Sequence, residues 1–383
     1  LPVRPLERYR IPLLLPDMPK ARDLMPWLER IDAACRYTNF GPLATEFESW
    51  LAAHWVGTGV PPAVIATSSG TAALELGLRA LDLPHGAHVL LPALTFPATA
   101  SVVLRCGLVP VLADVDPDTW LLTPALARQA ARTYALALIM PVASYGNPVD
   151  VASWDALAAE SGIPVLIDAA AAFGNQKLGR HVHAAFSLHA TKPFGIGEGG
   201  ALVTRDANMA ARVRSLSNFG FAQGVVVEAG MNAKLSEYAA AVGLAQSLRW
   251  PAVQARRREL WRLYAPLLAA LPGLRLQHGF ASDAVPAKLM VRLPMPAQGV
   301  AQALRGEGIE TRSWYLPPLH RQPAFAHCPR YGREGVGRLS NTEALAGCAL
   351  GLPWFAALTA AQCVEVVAAL ARVFAAQVDR RGA

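Results

Sequence analysis

Lys192 lies in the stretch Phe186–Thr204, FSLHATKPFGIGEGGALVT, just after a short apolar run and before a second, β-branched one. Gly195, Gly197, Gly199 and Gly200 separate it from that second run, a composition suited to a sharply bent turn. A turn lysine is ordinarily a solvated surface group. Here only five lysines occur in the whole chain, among many more arginines, and small or apolar neighbours favour the neutral amine. A neutral amine is a nucleophile that condenses with carbonyls to give a Schiff base.

About two dozen residues earlier, Asp168 ends the apolar run PVLID. A carboxylate there is commonly a helix cap or a structural acceptor. With a Schiff-base lysine nearby it has a second use, because pyridoxal 5′-phosphate stabilises a carbanion only while its ring nitrogen stays protonated. A buried carboxylate opposite that nitrogen holds the proton in place. The cofactor's phosphate needs a seat, and TSSGTAALELGLRAL (67–81) offers one where Ser69, Gly70 and Thr71 open a helix whose first amides are free. The same residues also read as an ordinary N-cap. Ser187, five residues before the lysine, adds a hydroxyl, and Phe96 an aromatic face for the ring.

Continuous apolar runs alternate with helical spacing through the first two thirds of the chain. Strands are expected at Val64–Ala66, His88–Pro92, Val109–Val115, Ala135–Val142 and Pro164–Asp168, with a helix over 151–161 between the last two. Strands buried on both faces and separated by helices predict a mostly parallel sheet, with ligands beyond the strands' carboxyl ends. The turn at 67–71, the loop at Thr95–Phe96, Asp168 and the Lys192 turn all fall at such ends. The fold class is therefore α/β, with a smaller α/β portion at the C-terminal end. Residues 1–40 read as a proline-broken arm and a helix near Asp23–Cys35, and 41–250 as the large domain. Pro251 marks a boundary between helices at 236–249 and 251–269, and 251–383 forms the small domain, with strands at 274–277, 287–293 and 311–314 and a helix at 299–307.

With 383 residues, 53% of them hydrophobic, the chain can bury a large core. The net charge of +7 suits anionic ligands, but no nucleic-acid-binding signature accompanies it. Five scattered cysteines without ligand spacing point to core thiols, not metal or disulfides. No run reaches the roughly 18 apolar residues of a membrane helix, and LPVRPLERYR lacks a signal-peptide core, so a cytoplasmic enzyme is expected.

The wording of GPLATEFESWLA (41–52), SSGTAALELGL (68–78), LPALTFPATA (91–100), PVLIDAAAAFG (164–174), FSLHATKPFGIGEGGALVT (186–204), GMNAKLSEYAAAVGL (230–244) and PPLHRQPAF (317–325) resembles the DegT/DnrJ/EryC1/StrS family of pyridoxal-phosphate sugar aminotransferases, of the aspartate-aminotransferase fold (fold type I). The resemblance spans nearly the whole chain. It implies that Lys192 carries the cofactor and shuttles the proton, that Asp168 partners the pyridinium nitrogen, that Ser69, Gly70, Thr71 and Ser187 seat the phosphate, and that Phe96 stacks on the cofactor ring. Asn232 would reach the phosphate of the other subunit, giving a homodimer with shared active sites. Tyr145, Arg312, Trp314, Tyr315 and His320 would shape the sugar pocket, although Arg312 also suits a surface salt bridge. The implied reaction is ping-pong transfer of an amino group, from an amino acid such as L-glutamate to a nucleotide-linked keto-sugar, through pyridoxamine phosphate. Two departures stand out: Ala171 where relatives commonly carry Gln or His, and Pro193 where many carry Asn. Dehydration or aromatisation by the same cofactor, and a non-catalytic cofactor- or sugar-binding regulator, are the rival readings. Lys192 argues against the branch in which histidine replaces that lysine.

Overall fold

The computed structural model describes residues 9–55, 61–280 and 284–382, with side chains to 376. Strands Ala63–Thr67 (β1), His88–Pro92 (β2), Val109–Ala113 (β3), Leu136–Ile139 (β4) and Val165–Asp168 (β5) appear where strands are expected, and Val182–Ser187 (β6) and Gly200–Thr204 (β7) take up the two apolar runs that flank the Lys192 turn. They lie side by side in the order β1-β7-β6-β5-β4-β2-β3. The five from β3 to β6 are mutually parallel and β7 is antiparallel to both of its neighbours. Each strand is almost wholly buried because helices cover both faces, which is why the runs are continuously apolar rather than alternating.

A short hairpin, Phe221–Ala222 (β8) and Val225–Val226 (β9), projects from the end of helix Ala207–Leu216. Three further strands, Arg275–Leu276 (β10), Leu289–Arg292 (β11) and, nearer the C-terminus, a strand over Ala349–Leu352, form a separate antiparallel sheet. Its core is closed by helices Ala297–Gly306 and Ala360–Gly382. Between them in sequence, Arg330–Gly332 (β12) and Gly335–Val336 (β13) return to the large sheet, β12 pairing in parallel with β3. The Ala349–Leu352 strand is thus β14, and neither it nor the β12–β13 pair is foreshadowed by a run long enough to stand out.

Two expectations need correcting. Pro251 does not end a helix: Glu237–Ala269 is one helix of 33 residues with Pro251 and Pro266 inside it. An internal proline costs roughly 3 kcal/mol, but Trp250, Val253, Leu260, Tyr264 and Leu268 bury against the two cores on either side of it, and that packing holds the helix together. The strand expected at 311–314 is a single bridge, in which Arg312 and Gly351 exchange backbone bonds of 3.2 and 2.8 Å. The chain then turns away into the crevice through Tyr315 at φ 63°. In the N-terminal arm, Ile11 and Leu13 are buried, Ile11 bridges Ile309, and the segment closes the small-sheet core of its own chain. Pro2 and Pro5 lie outside the described residues. The helix that follows is Ala21–Ala34.

Candidate active site

The carboxyl ends of β1, β2, β5 and β6 open onto one cavity of about 430 Å³ between the two sheets. Ser69, Gly70, Thr71, Phe96, Asp168, Ser187, Lys192, Arg312, Trp314 and Tyr315 all line it. The topology places Asp168 near the Lys192 turn, since β5 and β6 are hydrogen-bonded neighbours and Asp168, the last residue of β5, pairs with Ala185 just before β6 runs out at Ser187.

Asp168 is buried. Thr99 Oγ1 donates to its Oδ2 at 2.7 Å and the Ala170 amide to its Oδ1 at 3.1 Å. Thr99 itself exchanges a hydrogen bond with Thr95 at 2.9 Å, so helix Pro97–Arg105 braces the carboxylate from behind. Burial raises the Asp168 pKa, and the two donors and the Lys192 charge oppose that rise. Such a carboxyl is stabilised in its ionised form by any cation placed before it.

The Lys192 turn is closed by backbone bonds: Leu188 to Gly199, Ala190 to Gly197, Ile196 to Leu188 and Lys192 to His189. A Cβ on Gly195 would lie 2.7 Å from the Ala190 carbonyl oxygen, and Gly197 adopts φ +98°, so these two glycines are dictated by the tightness of the turn. Phe194 anchors it from below, fully buried with ring centroids 5.1 Å from Trp50 and 4.9 Å from Phe173. Burial lowers the Lys192 pKa while Asp168 raises it. The amine is therefore nearer its nucleophilic form than a surface lysine.

Helix Gly70–Ala80 starts against Ser187. A Cβ on Gly70 would meet Ser187 Cβ at 2.7 Å, so glycine is needed for the helix end to approach the strand. Ser69 caps the helix, its Oγ accepting from the Ala72 amide at 3.1 Å. The cap and the anion seat are not alternatives, because the amides of Gly70 and Thr71 have no partner among the described residues and point where an oxyanion would be welcomed. These groups fit pyridoxal phosphate: amides and hydroxyls for its phosphate, a buried carboxylate for its ring nitrogen, and a depressed amine for its aldehyde. Ala171 brings only a methyl to the crevice wall, and Pro193 packs in a separate small cavity with Trp250 and Arg257.

Other expected residues take different places. Phe96 is 57% exposed and tilted against Tyr315 at 6.2 Å, at the mouth. Arg312 pairs with no carboxylate among the described residues; its guanidinium lies over the Trp314 ring at 4.5 Å. Tyr145 is fully buried and does not line the crevice. Instead it lies under Tyr315, rings stacked at 4.7 Å and 15°, donates to the Trp314 carbonyl at 3.1 Å, and accepts the amides of Ala287 and Lys288 at its own carbonyl. It sets the crevice wall from behind. His320 is buried beside Glu343, in a hollow with Arg330 away from the crevice. Asn232 is exposed, bridges Asn218 through the backbone, and does not line the crevice of its own chain.

Two residues were missed by the sequence reading. Thr99 sits one helical turn beyond Thr95, and a hydroxyl at that spacing was the available signal. Lys288 is nine-tenths buried in the crevice wall, its Nζ 3.0 Å from the Trp314 ring centroid. It passed as one more residue of a strand.

The DegT/DnrJ/EryC1/StrS aminotransferase family model matches residues 21–371. Protein Rv3402c of Mycobacterium tuberculosis is 35% identical over 334 residues, covering 82% of this chain and 79% of its own length. A putative PLP-dependent aminotransferase from Bacillus cereus superposes with a TM-score of 0.87 at 27% identity, over 94% of this chain and 99% of that one. DesI, solved in the presence of its TDP-sugar product, superposes at 0.83 with 32% identity, over 96% and 95%. The chain belongs to the DegT/DnrJ/EryC1/StrS aminotransferase family, and is an aminotransferase whose cofactor is pyridoxal phosphate.

Proposed function

We propose that this aminotransferase moves an amino group from an amino acid, glutamate being the first to test, to the keto group of a nucleotide-linked sugar. The observation that carries the reading is the meeting in one cavity of Asp168, at the end of β5, Lys192, on the turn after the neighbouring β6, and the free amides of Gly70 and Thr71. The cofactor would supply an electron sink and a carrier for the amino group, the chemistry that underlies a ping-pong order. Lys192 would hold its aldehyde and move the proton to and from the substrate carbon. Asp168, fixed by Thr99 and Ala170, keeps the ring nitrogen protonated. Ser69, Gly70, Thr71 and Ser187 hold the phosphate, and Phe96 covers the ring.

The acceptor class is supported by two features. The crevice is open, lined at its mouth by Phe96, Trp314 and Tyr315, surfaces suited to a sugar, and Arg312, with no carboxylate partner among the described residues, suits an anionic group. A homodimer completes the reading. Asn232 faces outward near an exposed apolar hairpin, with Phe221, Val225 and Val226 each 44–60% exposed, a patch of the kind that subunit contacts cover. Sedimentation analysis tests it: the proposal requires a dimer whose dissociation releases cofactor.

The function is tested by incubating the holoenzyme with glutamate and a panel of nucleotide keto-sugars, read by mass. A product carrying an amino group in place of the keto oxygen supports the reading. Loss of water without amine gain would instead support the dehydrating alternative, and inertness toward every donor would support the non-catalytic one.

A further inference from the structure

Lys288 is a buried amine for which the reaction above has no use. No oxygen among the described residues bonds its Nζ, in contrast to the chain's other buried amines and guanidinia outside the cofactor site. Lys234 donates to Asn218 Oδ1 at 2.8 Å and Arg257 to the Pro286 carbonyl at 2.6 Å. Lys288 instead rests on the Trp314 indole, and Arg312 lies over the same ring. Its backbone amide is held by the Tyr145 carbonyl at 3.2 Å, and Asn175 ties Gly146 and Val285 on either side of that contact at 2.7 and 2.8 Å. The amine is therefore built into the wall and does not merely drape across it.

The carboxylates of the crevice do not answer it. Asp168 is engaged by Thr99 and Ala170, and Glu198 stands at the mouth, 3.7 Å from His189 Nε2, while His189 Nδ1 is taken by Thr191. The Tyr315 phenol is held protonated by burial. We propose that Lys288, with Arg312 across the Trp314 ring, is the seat for a carboxylate of the substrate. This deepens the aminotransferase reading and rests on it.

A carboxylate, rather than a diphosphate, follows from position. Lys192 and Lys288 line the same cavity, so an anion on Lys288 shares the chamber in which Lys192 works. In an amino-acid donor the carboxylate is attached to that carbon, and in a uronate sugar it is on the ring, whereas a nucleotide's diphosphate stands farther off. Burial, Lys192 and Arg312 together lower the Lys288 pKa to about 6, so near neutral pH the empty site holds a neutral amine. An oxyanion against it favours the charged form, which draws a proton from solvent.

The test uses holoenzyme, wild type and Lys288→Met. Cofactor absorbance follows the half-reaction with L-glutamate, and calorimetry with succinate in two buffers of different ionisation enthalpy counts protons. The variant should need on the order of tenfold more glutamate for half-maximal conversion, the size expected for a charge-assisted bond, with its limiting rate within about threefold. Wild type should take up about one proton per succinate at pH 7.5 and the variant none. If the effect falls instead on discrimination between UDP-glucuronate and UDP-glucose, the carboxylate belongs to the acceptor, and the seat stands. Unchanged saturation, unchanged proton count and unchanged discrimination would overturn it, as would an equal loss for uridine diphosphate alone. The cofactor-free proteins guard against misfolding. An amine with a folded pKa below its unfolded one binds fewer protons folded, so its penalty grows as pH falls toward 6. The melting temperature of Lys288→Met should exceed that of wild type by more at pH 6.5 than at pH 9. A wild type that reacts with no amino donor yet takes up the proton with succinate would refute the aminotransferase reading and leave the seat intact.

Discussion

The two walls of the crevice are built on different principles. On the large-sheet wall, Asp168 has two donors, the Lys192 turn is closed by backbone bonds, and Gly70 lies against Ser187 with no room for a methyl. On the small-sheet wall, Lys288 and Arg312 crowd one indole with no carboxylate between them among the described residues. The first wall is satisfied apart from the groups that would meet a cofactor. The second is left electrostatically incomplete, as expected where the missing charge arrives with each substrate and leaves with each product.

That contrast can be broken in graded steps. Lys192→Ala should cost the most, about 10²–10⁴-fold or more in kcat from the loss of proton transfer alone, and should abolish the visible absorbance of the lysine-bound cofactor in a spectrophotometric scan; a protein that stays equally yellow contradicts the assignment. Asp168→Asn keeps a side chain able to accept from Thr99 while removing the charge. It should lower kcat on the order of 10²-fold and shift the pH titration of the bound cofactor, whereas unchanged titration would dissociate Asp168 from the ring nitrogen. Thr99→Val removes one bond to that carboxylate, worth about 1.5–3 kcal/mol, and should raise the Asp168 pKa further, so the kcat–pH profile should move its acid limb upward. Smallest is Tyr145→Phe. It removes the bond to the Trp314 carbonyl and should cost about 1 kcal/mol in urea unfolding with KM affected more than kcat; a loss of kcat comparable to Lys192→Ala would mean that Tyr145 touches the reacting atoms after all.

The legibility of the sequence follows the same division. Strands buried on both faces leave unmistakable apolar runs, and a tight turn that requires glycine leaves glycines, so Asp168, Lys192, Gly70 and Ser187 could be placed before any coordinates. The small-sheet wall leaves weaker traces. Its strands have two to four residues, and Lys288 owes its burial to partners such as Tyr145 and Trp314, which are 143 and 26 positions away. The family resemblance alone puts Tyr145 in the sugar pocket. Nothing local to it records that Tyr315 stacks over its ring. Pro251 misled for a related reason, since local backbone cost was outweighed by burial contributed from distant segments.

Two lysine amines face this crevice, and the account assigns the cofactor to one of them. Borohydride reduction of the holoenzyme followed by peptide mass mapping decides between them. The account predicts the reduced cofactor on the peptide that contains Lys192, with the Lys288 peptide unmodified. Label on Lys288, or on neither, would contradict it.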